Sequence, residues 1–146
     1  MSLKEPSLKM SKSHEDPRSR ILLTDSHEDI TSKIKLALTD SLSGVSYDPS
    51  NRPGISNLIE IVHHLEDGAT TCEDLANKYC SLSKRQFKEM VAERVSSSLS
   101  HIRRNYERIL KADDGRYLDA VAAQGAVKAS ASAEETMVLV REAMGL

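Results

Sequence analysis

The sequence predicts an all-α protein, a helical bundle preceded by an irregular loop segment. Apolar residues recur at helical spacing through most of residues 26–146. Residues that cap helix N-termini stand directly before several of these stretches. One short run, Ile21-Leu22-Leu23, has the composition of a strand, but the sequence supplies no partner sheet for it. We therefore expect helices alone to form the core.

Residues 1–20 lack apolar periodicity and are predicted to form a loop. Pro6 and Pro17 stand there among charged and serine residues. The loop contains Lys9-Met10-Ser11-Lys12-Ser13, which places two ammonium groups and two hydroxyls within five residues. These groups suit a polyphosphate, because lysines neutralise its charge while hydroxyls and backbone N–H groups donate hydrogen bonds. The alternative is a solvated Lys/Ser linker.

The first two helices are predicted from their starts. Ser26 with Asp29 is close to a capping box, and the helix should end near Asp40. Its apolar face consists of Ile30, Ile34, Ala37 and Leu38. Pro53 suits the first position of the second helix, which Gly68 can terminate. The second apolar stripe consists of Ile55, Leu58, Ile59, Val62 and Leu65.

Three further helices are predicted. Thr71 with Asp74 starts a short helix that carries Leu75 and Tyr79. Ser83 with Gln86 is a fuller capping box that opens a long helix over residues 84–111. Its stripe consists of Phe87, Val91, Val95, Ser98, Ile102, Tyr106 and Ile109.

The last helix follows Asp113-Asp114-Gly115, and small residues over 122–133 permit close approach to a neighbouring helix. Its helically spaced residues are Leu118, Val121, Ala122, Gly125, Ala129, Ser132, Thr136, Met137, Val140 and Met144.

Charge is distributed unevenly along the chain, whose net charge is −2. Residues 83–111 contain eight Lys and Arg against three Asp and Glu. This excess predicts a surface for a phosphate-bearing partner, and the alternative is a solvated helix face. The candidate RNA-binding residues are Lys84, Arg85, Lys88, Arg104, Arg108 and Lys111.

Neither a metal site nor a membrane span is predicted. His63-His64 with Cys72 and Cys80 includes zinc-ligand types, but adjacent histidines point to different sides of a helix and the cysteines fit no short metal spacing. No apolar run approaches the ~20 residues that a membrane helix needs.

The KMSKS run resembles the signature loop of class I aminoacyl-tRNA synthetases, and further motifs resemble tryptophanyl-tRNA synthetases of the bacterial and mitochondrial type. Those motifs are Lys33-Ile34-Lys35, Ala37-Leu38-Thr39-Asp40-Ser41, Tyr47-Asp48, Arg52-Pro53-Gly54-Ile55-Ser56-Asn57-Leu58 and Arg141-Glu142-Ala143-Met144-Gly145-Leu146. One departure follows the loop, where many relatives have Asp and this chain has His14-Glu15-Asp16. Glu15 or Asp16 is then expected to supply the charge.

The resemblance implies an enzyme that activates tryptophan with ATP and Mg²⁺ and transfers it to tRNA. Lys9 and Lys12 would be catalytic and residues 9–13 would bind ATP, with no protein-bound metal. The family's Rossmann domain, which binds tryptophan, precedes KMSKS, and only eight residues precede Lys9 here. We therefore expect a C-terminal fragment, inactive alone, with residues 1–25 as loop segment and Rossmann remnant and 26–146 as helical domain.

The full-length enzyme is expected to be a homodimer in the mitochondrial matrix, with a bacterial cytoplasm as the alternative. The alternative function is a non-catalytic helical RNA-binding or adaptor module descended from a synthetase.

Overall fold

Five α-helices follow an irregular N-terminal segment in the structure, a computed structural model that describes residues 1–66 and 70–146. They are α1 (His27–Lys35), α2 (Pro53–Leu65), α3 (Cys72–Tyr79), α4 (Lys84–Lys111) and α5 (Arg116–Met144). Short 3₁₀ turns cover Pro17–Ser19 and Ala112–Gly115. The described residues contain no strand, Ile21-Leu22-Leu23 included, and this confirms the all-α prediction.

Contacts divide the chain into two units, Met1–Arg103 and Arg104–Leu146. The first unit holds the core, in which Leu3 from the N-terminal segment packs with side chains of α1 to α4. Its buried apolar residues are Leu3, Ile30, Ile34, Ala37, Val45, Ile55, Leu58, Ile59, Val62, Leu75, Ala76, Phe87, Val91, Ala92 and Val95. The predicted domain boundary after residue 25 stays a prediction.

The predicted helix starts are confirmed because each cap forms locally. Ser26 Oγ accepts the backbone N–H of Asp29, whose carboxylate accepts the backbone N–H of Ser26. Thr71 Oγ1 accepts from the N–H of Asp74 in the same way. At α4, Gln86 Oε1 accepts the Ser83 N–H at 3.0 Å. Each bond satisfies a backbone donor that a helix start leaves unpaired.

Helix α1 ends at Lys35, five residues before the predicted end near Asp40, and that prediction was wrong. The N–H of Leu38 donates to Leu3 O at 2.7 Å, which diverts the chain from helical geometry. Ala37 is buried outside the helix, whereas Leu38 is exposed rather than in the core. Leu65 of α2 packs partly buried against the core, as predicted, while the predicted terminator Gly68 lies outside the described residues.

Gly54 lies where α2 passes against the chain that leaves α1. A Cβ at this position would lie 2.1 Å from Leu38 O and 3.1 Å from Thr39 Cα, both backbone atoms. No side chain fits there without moving the backbone, so glycine sets how closely α2 approaches residues 38–39.

The predicted apolar stripe of α4 is buried only in its first half. Phe87, Val91 and Val95 are in the core, whereas Ser98, Ile102, Tyr106 and Ile109 are exposed. In the second unit, as far as the chain is described, no residue of α5 is buried. The predicted break before α5 is confirmed, because Asp113, Asp114 and Gly115 all have positive φ.

The chain between α1 and α2 is organised by Arg52, which is 6% exposed. Its Nε and Nη2 each donate to a carboxylate oxygen of Asp40 at 2.9 Å, and Nη1 donates to Ser46 Oγ at 2.7 Å. Nη2 also lies within hydrogen-bond distance of the carbonyl oxygens of Leu42 and Gly44. One guanidinium thus fixes several points of this connection.

Acidification is expected to destabilise the protein through the carboxylates of Asp40, Asp48 and Asp29. The guanidinium of Arg52 holds the pKa of Asp40 below its ordinary value, and Asn51 and Ser26 lower the pKa of Asp48 and Asp29. A lowered pKa adds stability above the unfolded-state value of about 4, and this is lost as pH falls through the folded-state pKa. Urea unfolding should give a similar free energy at about pH 7 and pH 5 and a lower one near pH 3.

The variant Asp40→Asn should lose less stability between about pH 5 and pH 3 than the parent chain, since it lacks one titrating group. An identical acid dependence in the two proteins would contradict the role of Asp40.

Candidate functional site

The KMSKS residues lie on a loop whose two ends are held together at its base. The N–H of Ser2 donates to Leu8 O at 2.7 Å, and the N–H of Leu3 donates to Ser19 O at 2.9 Å. The adjacent N–H groups of Ser2 and Leu3 thus hold the two ends of the loop, at Leu8 and Ser19. Ser2, Leu3 and Ser19 are buried, whereas Lys9 and Lys12 are exposed. The structure therefore presents both lysines to solvent from an anchored base.

Local hydrogen bonds shape the loop itself. The N–H of His14 donates to Ser11 O at 3.3 Å, and the Oγ atoms of Ser11 and Ser13 lie 3.0 Å apart. The ring Nδ1 of His14 accepts the N–H of Asp16 at 3.0 Å. Arg20 Nη1 donates to His14 O at 2.8 Å. The bond from Arg20 ties the residue after KMSKS to the far end of the loop.

The carboxylate of Asp16 caps the turn that follows it. It accepts from the backbone N–H and the guanidinium of Arg18, with the shortest distances at 2.9 Å, and these bonds lower the pKa of Asp16 to about 2. Asp16 thereby caps the 3₁₀ turn over Pro17–Ser19. Glu15 is exposed. Which of the two supplies the charge expected after KMSKS stays a prediction.

A cleft of about 370 Å³ lies beside the loop. Its lining residues are Met10, Ser11, Lys12, Arg20, Ile21, Leu22, Leu23 and Thr24. The wall over residues 22–25 is fixed by Asp25, whose Oδ2 accepts the Leu22 N–H at 2.8 Å and the Lys33 ammonium at 2.5 Å. Among the predicted site residues the cleft gathers Met10, Ser11 and Lys12, whereas Lys9 and Ser13 are not part of its lining.

Arg20 belongs to this cleft although the sequence motif does not include it. Its Nη1 holds the loop, and its buried Nε has no hydrogen-bond partner among the residues that the structure describes. The sequence signal that points to it is the excess of positive charge over residues 1–20, in which Arg20 is one of five Lys and Arg. A lysine, a guanidinium and a serine hydroxyl at one cleft suit an anion such as a polyphosphate.

The six candidate RNA-binding residues divide between the two units. In the first unit the ammonium of Lys84 donates to Asp40 O, and that of Lys88 donates to Ala37 O at 2.8 Å and Lys35 O at 3.3 Å. Burial, and secondarily the charge of Lys84, lowers the pKa of Lys88. Both lysines thus bind carbonyl groups at and beyond the C-terminal end of α1, an end that favours positive charge.

Arg85 pairs with Glu89 at 2.9 Å on the exposed side of α4. Arg104, Arg108 and Lys111 belong to the second unit, where all three are exposed on the last turns of α4. Their spacing of four and three residues places them along one side of that helix.

Among the described residues, no three or more His, Cys, Asp or Glu side chains lie together as metal ligands. Cys72 and Cys80 are both free thiols. None of the helices within residues 1–66 and 70–146 combines the length and apolar character needed to cross a membrane.

Comparison with known proteins defines the family. The family model "tRNA synthetases class I (W and Y)" matches residues 1–100. The chain therefore belongs to the class I tRNA synthetases of the tryptophan and tyrosine group.

Within that group the chain is similar to tryptophan enzymes, as the sequence resemblance predicts. The tryptophan–tRNA ligase of Halalkalibacterium halodurans is 40% identical over the whole chain, which covers 43% of that relative. The mitochondrial tryptophan–tRNA ligase of Dictyostelium discoideum is 35% identical, with the whole chain covering 38% of it. The solved tryptophanyl-tRNA synthetase of Mycoplasma pneumoniae matches with 26% identity and a TM-score of 0.73, over the whole chain and 43% of that structure. The chain thus spans less than half the length of these relatives.

Proposed function

We propose that this chain supplies the ATP-binding KMSKS loop and the helical tRNA-binding domain of a tryptophan–tRNA ligase. The observation that carries the proposal is the match of the whole chain, at 40% identity, to a ligase of that name. The rest of the ligase binds tryptophan and lies outside this chain. In the proposed reaction the tryptophan carboxylate attacks the α-phosphate of ATP, pyrophosphate leaves, and the aminoacyl group then passes to tRNA.

In this chemistry the loop neutralises charge on the leaving pyrophosphate. Phosphoryl and nucleotidyl transfer depend mainly on positioning and electrostatic stabilisation. Lys12 lines the cleft, where Ser11 and Arg20 add hydrogen-bond donors. Lys9 is exposed three residues before Lys12 on the same loop, and we propose that it also binds the phosphate. Mg²⁺ enters with ATP as part of the substrate.

The intact ligase is proposed to act as a homodimer in the mitochondrial matrix, with a bacterial cytoplasm as the alternative. Relatives from bacteria and from a mitochondrion both match the chain, which is compatible with either compartment.

A chimera tests the catalytic part of the proposal. In the H. halodurans ligase, this chain replaces the matching segment, which is 43% of that protein. Tryptophan-dependent exchange of pyrophosphate into ATP is expected from the chimera and not from the chain alone. A folded chimera that lacks exchange would favour the alternative, a non-catalytic RNA-binding or adaptor module.

The RNA-binding part of the proposal predicts a loss of tRNA affinity in the double variant Arg104→Glu with Arg108→Glu. Affinity should fall by at least about tenfold at 0.1 M salt, and log affinity should depend less steeply on log salt, because two phosphate contacts disappear. Retention of labelled tRNA on nitrocellulose by the 146-residue chain measures both quantities.

The matched control reverses the same number of charges at Lys78 and Lys128, two exposed residues outside the candidate set. Binding that is independent of salt, or equal losses in the two double variants, would contradict a specific RNA-binding role for this part of α4.

A further inference from the structure

Helix α2 holds the base of the KMSKS loop through one buried carboxamide. Asn57 is 3% exposed, and its Nδ2 donates to Met1 O and Ser2 O, each at 3.2 Å. Its Oδ1 accepts from the nitrogen of Met1 at 3.0 Å. A carboxamide offers two donor hydrogens and an acceptor oxygen, so it matches a run of backbone groups of this kind.

Asn57 binds the backbone of residues 1–2, and the backbone of residues 2–3 holds the two ends of the KMSKS loop together. Ser2 donates to Leu8 O and Leu3 donates to Ser19 O, while Leu3 O accepts from the N–H of Leu38. The Leu3 side chain is 1% exposed within the core. A continuous path of hydrogen bonds therefore runs from α2 through residues 1–3 to both ends of the loop.

Among the described residues, the loop beyond its base makes few other contacts with the helices. Met10 packs partly buried against the core, but Lys9, Lys12 and Ser13 are exposed. The loop's position relative to the helical core is consequently set largely at residues 2 and 3. Losing the Asn57 bonds would release the base without removing any group of the KMSKS motif.

We propose that Asn57 is a positioning residue for the KMSKS loop, acting through the backbone of Ser2 and Leu3. The consequence for ATP rests on the proposed function of that loop. A role confined to filling a buried polar site predicts instead that losing Asn57 destabilises the whole unit evenly.

Hydrogen exchange of the full chain, followed by mass spectrometry, separates these two possibilities. In Asn57→Ala the hydrogen-bonded amides of residues 2–19, first those of Ser2 and Leu3 that donate to Leu8 O and Ser19 O, are expected to exchange about tenfold faster, since a buried hydrogen-bond network of this size has been lost. Residues of α3 and of the buried half of α4 should keep parent rates.

The matched control is Ser56→Ala on the same helix. Ser56 is 1% exposed, and its Oγ accepts the N–H of Asp48 at 3.0 Å, far from the loop in sequence. This variant should accelerate exchange near Asp48 and leave residues 2–19 unchanged. Should Asn57→Ala fail to fold, Asn57→Asp replaces it, because the carboxylate keeps the shape and the acceptor but loses both donors to Met1 and Ser2.

In the chimeric ligase Asn57→Ala is expected to raise KM for ATP about tenfold while KM for tryptophan stays near the parent value, whereas Ser56→Ala changes neither. The inference is overturned if residues 2–19 exchange at parent rates in the Asn57 variant, or if Ser56→Ala accelerates them equally. An unchanged KM for ATP in a chimera whose activity depends on Lys12 would overturn it as well. A chimera indifferent to Lys12→Ala would contradict the proposed function, and loop exchange would still decide the role of Asn57.

Discussion

Replacing Arg52 with methionine is expected to lower the free energy of unfolding by about 3–5 kcal/mol, the usual cost of removing one partner of a buried ion pair. The Arg52 side chain is 7% exposed and that of Asp40 19%, so the carboxylate would keep little solvent to compensate for its missing partner. Ser46 Oγ and the carbonyl oxygens of Leu42 and Gly44 would lose the same donor group. Urea unfolding followed by far-UV circular dichroism measures the change.

The control for this prediction is Arg85→Met, which removes an arginine from the exposed pair with Glu89. Arg85 is 82% exposed, and solvent-exposed pairs contribute at most about 1 kcal/mol. Equal losses in the two variants would show that burial of the Arg52 network does not stabilise the fold.

The substitution Lys12→Ala in the chimeric ligase is expected to slow tryptophan-dependent pyrophosphate exchange by about 10²–10³-fold, as typically follows removal of one preorganised electrostatic donor. A lysine ~4 Å from a phosphate charge has a Coulomb energy near ~4 kcal/mol at an effective dielectric of ~20, and desolvation offsets part of it. Because the loss falls on the transition state, kcat should fall more than KM for tryptophan rises.

Lys4→Ala is the matched control, since Lys4 lies beside the loop but outside its motif and outside the lining of the cleft. It should retain exchange close to the parent chimera. An unchanged exchange rate in Lys12→Ala would remove the assignment of Lys12.

The helix starts could be predicted from sequence because capping is a local interaction. Ser26, Thr71 and Ser83 each bond to groups three residues away, so the pattern and the geometry coincide. The end of α1 could not be predicted in this way, because it depends on a bond between Leu38 and Leu3, which lie far apart in sequence. Periodicity likewise indicated an apolar face on α4 but did not show where its burial ends, since Val95 is buried whereas Ile102 and Tyr106 are exposed.

The candidate site likewise combines features that the sequence predicts with features that depend on contacts formed in the fold. The KMSKS motif identified the loop. Asn57 lies in another motif of the sequence resemblance and Arg20 in a basic segment, but the sequence does not show the backbone groups that their side chains bind. Lys84 and Lys88 have the composition of a basic surface, yet both ammonium groups bind carbonyls around the end of α1. The charge pattern identifies the lysines but not the carbonyl groups that they bind. Every residue has a backbone carbonyl, so the sequence does not distinguish these acceptors.

Aminoacylation of tRNA by the chimeric ligase tests the central claim most directly, since it requires both the loop and the helical domain to function. We expect the chimera to form tryptophanyl-tRNA well above the level of the parent truncated at the same junction, because this chain matches the replaced segment over its whole length at 40% identity. A folded chimera with no more aminoacylation than the parent truncated at the same junction would contradict the account.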